Sequence, residues 1–336
     1  MDVYKYIEAG EIDFKNSLKI INKSIKSKSL KKIISVLENN IKSSTIIPPW
    51  FYLFYYDFVI KKVNNEQTIE LDKSFENINY ESFLKYDFSI LKFYSKNINY
   101  ICWEILLKVL QEGGDFLSDV KAPNNDTFSF NEKKILDAKK IIELTDPKLS
   151  ALMDKLQNTI ILCEPGTESK KINNSFGGAT CFFFRGGSIL NSDSKFKLVN
   201  TLEKLVHEYA HNELFVLGQD ERLCLNSDND IHKVSIRSDK RPMNGIIHSF
   251  YVVTRVLELF TKLSINNLKR DFGIENDFEN DFLEIIKSQL VFGQSSLSKI
   301  KEYADLTNTG EEIINFSEIR FNKVLAFIKK NNEIYL

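Results

Sequence analysis

Residues 193–217, DSKFKLVNTLEKLVHEYAHNELFVL, place Leu198, Leu202, Leu205, Val206 and Tyr209 on one stripe of a 3.6-residue repeat, with Ser194 or Asp193 positioned to cap the first turn. The segment predicts an amphipathic helix, and that helix carries His207-Glu208-Tyr209-Ala210-His211. Positions four apart share a helical face, so both imidazoles can aim a nitrogen at one metal ion while Glu208 lies beside them. The chain has only 4 histidines, His207, His211, His232 and His248, and all fall in one short stretch of its second half. The competing reading is a helix with two surface histidines. It explains neither the crowding nor the strand-like segments ahead of the helix.

Upstream, Thr159 to Cys163 and Thr180 to Phe184 are short apolar runs bounded by Pro165-Gly166, Gly177-Gly178 and Gly186-Gly187, and read as strands of a small sheet. Downstream come a polar loop from Gln219 to Asn244, a helix from about Gly245 to Leu263, and two amphipathic helices near 280–290 and 311–330. Helical spacing also dominates residues 12–112 and resumes over 131–156, with an interruption near Asp146-Pro147. The turn-rich stretch from Gln111 to Asn131 separates the two halves. The expected fold is α+β and predominantly α, helix-rich with a small β-sheet next to the HExxH helix. Its expected domains are a helical region over 1–130 and a metal-site catalytic region over 131–336.

Lys plus Arg number 45 and Asp plus Glu 46, for a formal net charge of -1, so the chain lacks the basic excess that gathers nucleic acid. The longest apolar stretch, Pro48 to Ile60, contains Asp57 and falls short of the roughly 20 residues that cross a bilayer. It predicts a buried helix and no membrane partner. The first residues, MDVYKYIEAGEIDF, carry acid where a secretion signal carries base, so a cytoplasmic location is expected. Cys102, Cys163, Cys181 and Cys224 are scattered and read as reduced core residues.

Two imidazoles need a third protein ligand. His248 and Glu258, both on the next predicted helix, are the candidates, with His248 preferred. His232 sits in the polar loop and reads as a solvated or supporting histidine. Arg255 lies seven residues beyond His248, two turns along the same helix, while Arg237 and Arg241 lie in the preceding loop. Their guanidinium groups suit a carboxylate held beside the metal. Together with three neutral ligands they describe a site for an anionic cosubstrate, although each arginine taken alone reads equally well as a salt-bridged surface side chain.

The stretch from Leu198 to Leu263 resembles the HEXXH-motif peptide-modification family, in which the motif helix is followed by R-x-D-x-R-P-x-x-G-x-x-H. Arg237, Asp239, Arg241, Pro242, Gly245 and His248 fall on those positions, whereas Ser238 and Lys240 stand where the family usually has prolines. The resemblance implies a 2-oxoglutarate-dependent Fe(II) oxygenase that hydroxylates a side chain, at the β-carbon, of a ribosomally made precursor peptide. His207, His211 and His248 would hold iron, and Arg255, Arg241 or Arg237 the 2-oxoglutarate. Glu208 would orient a ligand or water. The alternative is a zinc metallopeptidase in which Glu208 is the general base. The aromatic run from Trp50 to Phe58 reads as core, with docking of the precursor peptide as the sharper expectation.

Overall fold

The computed structural model describes residues 2–25, 27–40, 47–63, 78–84, 88–111, 119–167, 176–193, 196–218, 221–235, 239–263 and 278–331. Helices dominate, and a small mixed sheet accompanies them. The chain forms two compact units, one of Asp2–Glu132 with Leu152–Ser194, the other of Lys133–Ala151 with Lys195–Leu336. The division thus does not follow one cut near residue 130, because the strand-forming segment 152–194 clusters with the first half of the chain.

The sheet unit contains α1 (Val3–Ile25), α2 (Lys28–Asn40), α3 (Pro49–Val63) and α4 (Tyr100–Gln111). Its strands are β1 (Ser89–Lys92), β2 (Val120–Lys121), β3 (Thr159–Pro165), β4 (Gly178–Ala179) and β5 (Gly187–Asn191). The sheet order is β1-β3-β5-β4; β1, β3 and β5 are parallel, β4 runs antiparallel to β5, and β2 pairs antiparallel with the end of β3. β3 is buried along nearly its whole length, which suits its run of Ile160, Ile161 and Leu162.

The run Thr180 to Phe184 is not a strand. Phe182–Phe184 form a 3-10 turn that buries Phe184, and Gly186, at φ +88°, reverses the chain so that the strand follows the aromatics as β5. Three consecutive bulky aromatics satisfy strand propensity, but only a glycine adopts that φ without strain, and its position sets where pairing begins.

The aromatic stretch of α3 is core. Trp50, Phe51, Phe54, Tyr56 and Phe58 are all buried, and Trp50 packs edge-on against Trp103 at 5.4 Å and Phe184 at 5.2 Å. Each buried ring stabilises the unit by about 1.5–3 kcal/mol relative to exposure. The run therefore leaves little aromatic surface for docking a peptide.

Shared between the two units are α5 (Asn125–Thr145) and α6 (Pro147–Leu156). Asp146 makes the break between them: its Oδ1 accepts from the Leu149 amide at 3.2 Å, and Pro147 occupies the first helical position, where its missing N–H costs nothing.

The histidine unit is built from α7 (Leu198–Gly218), α8 (Met243–Phe260), α9 (Phe278–Tyr303) and α10 (Asn308–Lys330). α8 is central and packs on the other three; it is apolar almost all round, as a helix enclosed by neighbours must be. Gly293 lets α9 approach closely, since a side chain there would collide with Phe321 of α10 and Val253 of α8. The expected loop 219–244 contains a hairpin, β6 (Ile231–Lys233) and β7 (Lys240–Pro242), that leads directly into α8. α7 begins at Leu198, with Asn200 Oδ1 accepting from the Lys197 amide at 2.9 Å, so Asp193 is not its cap; Ser194 lies outside the described residues.

Candidate metal centre

α7 projects His207 and His211 from one face, as their spacing requires, and α8 brings His248 beside His211. The rings of His207 and His211 are 5.2 Å apart, those of His211 and His248 6.0 Å. Imidazoles on one ion at about 2.1 Å would have centroids about 5.2 Å apart if tetrahedral and about 4.6 Å if cis on a six-coordinate ion, so both pairs are wider than six-coordinate binding would have them. Among the described residues no three His, Cys, Asp or Glu side chains stand, as placed, in an arrangement that could hold a metal ion. The donor set nonetheless fits a divalent cation by its chemistry. Burial, with the repulsion that a protonated ring there would meet from nearby imidazolium and from Arg241, holds His211 well below the usual histidine pKa. Burial alone brings His248 down to about 4. Both are neutral at pH 7, the form that binds a metal.

Phe215, one turn beyond His211, packs against it at 6.3 Å and against His248 at 5.8 Å, forming an apolar wall beside the rings. His207 is the outermost, with its side chain 37% exposed, and its Nδ1 lies 3.4 Å from Glu203 Oε1. Glu203 is a residue the motif did not point to, though its place one turn before His207 was a signal available in the sequence. Glu208 is buried on α7 beside the pair.

The arginines divide. Arg255 is taken up by an ion-pair network: its Nε lies 2.7 Å from Glu213 Oε2, its Nη1 donates to Glu258 Oε2 at 2.8 Å, and its Nη2 reaches the Tyr209 hydroxyl at 3.3 Å. Burial opposes the Arg255 charge, but Glu213 and the neighbouring phenols and carboxylate prevail and hold its pKa above the ordinary range. Glu258 is further clasped by Arg320, whose Nε donates to Oε1 at 2.6 Å and whose Nη2 donates to Oε2. Seven residues along α8 amount to about 10 Å, and at that level α7 presents Tyr209 and Glu213 instead of its histidines. The same network turns Glu258 toward two guanidinium groups and leaves His248 as the α8 residue beside the pair.

Arg241, on β7, acts electrostatically on His211, while its Nε also donates to Asp239 at 3.1 Å. Arg237 lies outside the described residues. His232 pairs across the hairpin with Arg241, stacks on Tyr303 at 4.7 Å and places Nε2 3.0 Å from Asp230. It anchors the hairpin to the end of α9 and is neither solvated nor part of the histidine cluster.

Among the described residues no helix is long and apolar enough to cross a membrane. No family model matches the chain, and no curated protein matches it.

Proposed function

We propose that this protein is a cytoplasmic non-heme Fe(II)/2-oxoglutarate-dependent oxygenase that hydroxylates a side chain, at the β-carbon, of a ribosomally made precursor peptide. The observation that carries the reading is the approach of the His207 and His248 rings to His211 from two helices, with His211 and His248 partly buried and neutral and the Arg241 charge acting on His211. Three neutral ligands leave a dication with open positions and unbalanced charge, which suits an anionic chelating cosubstrate. When bound, Fe(II) with 2-oxoglutarate and O2 supplies the oxidation: one oxygen atom enters the peptide C–H bond as hydroxyl, the other enters succinate, and CO2 leaves.

Arg241 takes the role of binding the distal carboxylate of 2-oxoglutarate, since Arg255 is committed to Glu213 and Glu258. Phe215 keeps water from the His211 and His248 side of the centre. Glu208, buried one residue from His207, holds an adjoining ligand or water in place. The peptide as substrate rests on the resemblance of residues 198–263 to HExxH peptide-modification proteins. The free cysteines Cys102, Cys163, Cys181 and Cys224 accord with a reducing compartment.

The test is metal analysis of anaerobically prepared protein, together with succinate release in the presence of Fe(II), 2-oxoglutarate and a precursor peptide. Iron-dependent succinate, coupled to a gain of one oxygen atom in the peptide, is expected, and Glu208→Gln should retain part of it. Retained zinc with peptide cleavage, no succinate, and complete loss in Glu208→Gln would establish the metallopeptidase in its place.

A further inference from the structure

We infer that Glu203 is a positioning residue for the proposed metal centre, orienting the His207 ring while Gln289 of α9 holds Glu203 in turn; the inference rests on the metal reading above. Glu203, His207 and His211 form a series spaced by four and so share one face of α7. Glu203 Oε1 lies 3.4 Å from His207 Nδ1, and the same oxygen accepts from Gln289 Nε2 at 3.2 Å. Gln289 comes from a helix 86 residues away in sequence, so the carboxylate is fixed from outside its own helix. An Nδ1 that faces a carboxylate carries the proton, and the lone pair is then on Nε2, on the other side of the ring.

This contact matters most at His207. The His207 side chain is 37% exposed, so a carboxylate held from α9 adds to the contacts that orient its ring. A carboxylate behind one imidazole also places a negative charge close to a cation whose direct ligands are all neutral, raising the basicity of the ring that faces it.

The experiment titrates Co(II) into the metal-free full-length chain and reads the dissociation constant and the visible d–d band, with a thermal melt of each metal-free variant alongside. Glu203→Ala should weaken Co(II) binding by about 10- to 100-fold. Glu203→Gln, which keeps an acceptor oxygen without the charge, and Gln289→Leu, which frees the carboxylate, should each weaken it less, while the metal-free melts match wild type. If wild type binds Co(II) and Glu203→Ala binds it equally well, the positioning role is wrong and the metal reading stands. If wild type binds no Co(II), the metal reading itself falls. A loss in Glu203→Ala far beyond about 100-fold with an altered band intensity would make Glu203 a ligand and overturn the positioning role.

Discussion

The sheet unit and the histidine unit solve the same burial problem with different materials. Around α3 the interior is aromatic: Trp50, Phe51, Phe54, Tyr80 and Trp103 pack on one another, and little is asked of directional bonding. Around α8 the apolar packing is crossed by a line of charge from Glu213 through Arg255 and Glu258 to Arg320. Burying ions is costly unless each is compensated, and here carboxylates and guanidinium groups alternate. The partly buried imidazoles belong to this second unit, where geometry is held by directional contacts as well as by packing.

The largest effects should separate the two materials. Phe54→Ala in the sheet unit deletes a fully buried ring and should cost about 3–5 kcal/mol in chemical denaturation. Arg255→Met should cost a similar amount, about 3–5 kcal/mol, because it strands the buried Glu213 carboxylate. The responses to a second change differ: adding Glu213→Leu to Arg255→Met should recover much of the loss, since replacing a buried pair is far milder than breaking it. If Arg255→Met instead left stability within about 0.5 kcal/mol and raised the KM for 2-oxoglutarate, the network reading would be wrong and Arg255 would return to the cosubstrate.

What could be read from sequence follows the range of the forces involved. The helices of the second half, the Asp146-Pro147 break and the His207/His211 face are local and appear where the spacing puts them, whereas within the expected helical run 12–112, residues Ser89–Lys92 form strand β1. His248 is an intermediate case: its helix was legible, and its approach to His211 depends on how α8 crosses α7. The role of Arg255 was hidden, because two-turn spacing ties it to the His248 face but its level along α8 matches Glu213, a residue outside every motif. The hairpin of Ile231–Lys233 with Lys240–Pro242 was hidden too, its strands being too short and polar for alternation to register. The sheet failed at Thr180 to Phe184, where propensity pointed to a strand and the glycine that follows decided otherwise.

A smaller and more selective effect is expected at Arg241. Its side chain is partly exposed and, among the described residues, pairs with the half-exposed Asp239 in the hairpin, so Arg241→Met should leave stability within about 0.5 kcal/mol. In the oxygenase reading it should raise the KM for 2-oxoglutarate by about 10- to 100-fold, equivalent to about 1.4–2.8 kcal/mol, and leave Co(II) affinity nearly unchanged. Steady-state kinetics at varied 2-oxoglutarate measure the first, and the metal titration the second. An unchanged KM would remove Arg241 from cosubstrate binding.

The smallest effect tests the comparison from the other side, where charge enters the sheet unit. Burial pushes Glu11 of α1 up to about 7, against the pull of Lys15, the Ile47 backbone and Lys155. The folded pKa is therefore above the unfolded one near 4.5, and the folded state holds the proton more tightly. Glu11 thus favours folding at low pH, and that contribution is lost as pH rises from about 4.5 to about 7. Glu11→Gln removes the titration, so it should stabilise the protein at pH 8 by on the order of 1 kcal/mol, allowing for partial solvent screening, and change little at pH 4. Denaturation curves at the two pH values check it. Equal effects at both would mean that Lys15 and Lys155 fully compensate Glu11, and that the sheet unit tolerates buried charge by the same pairing as the histidine unit.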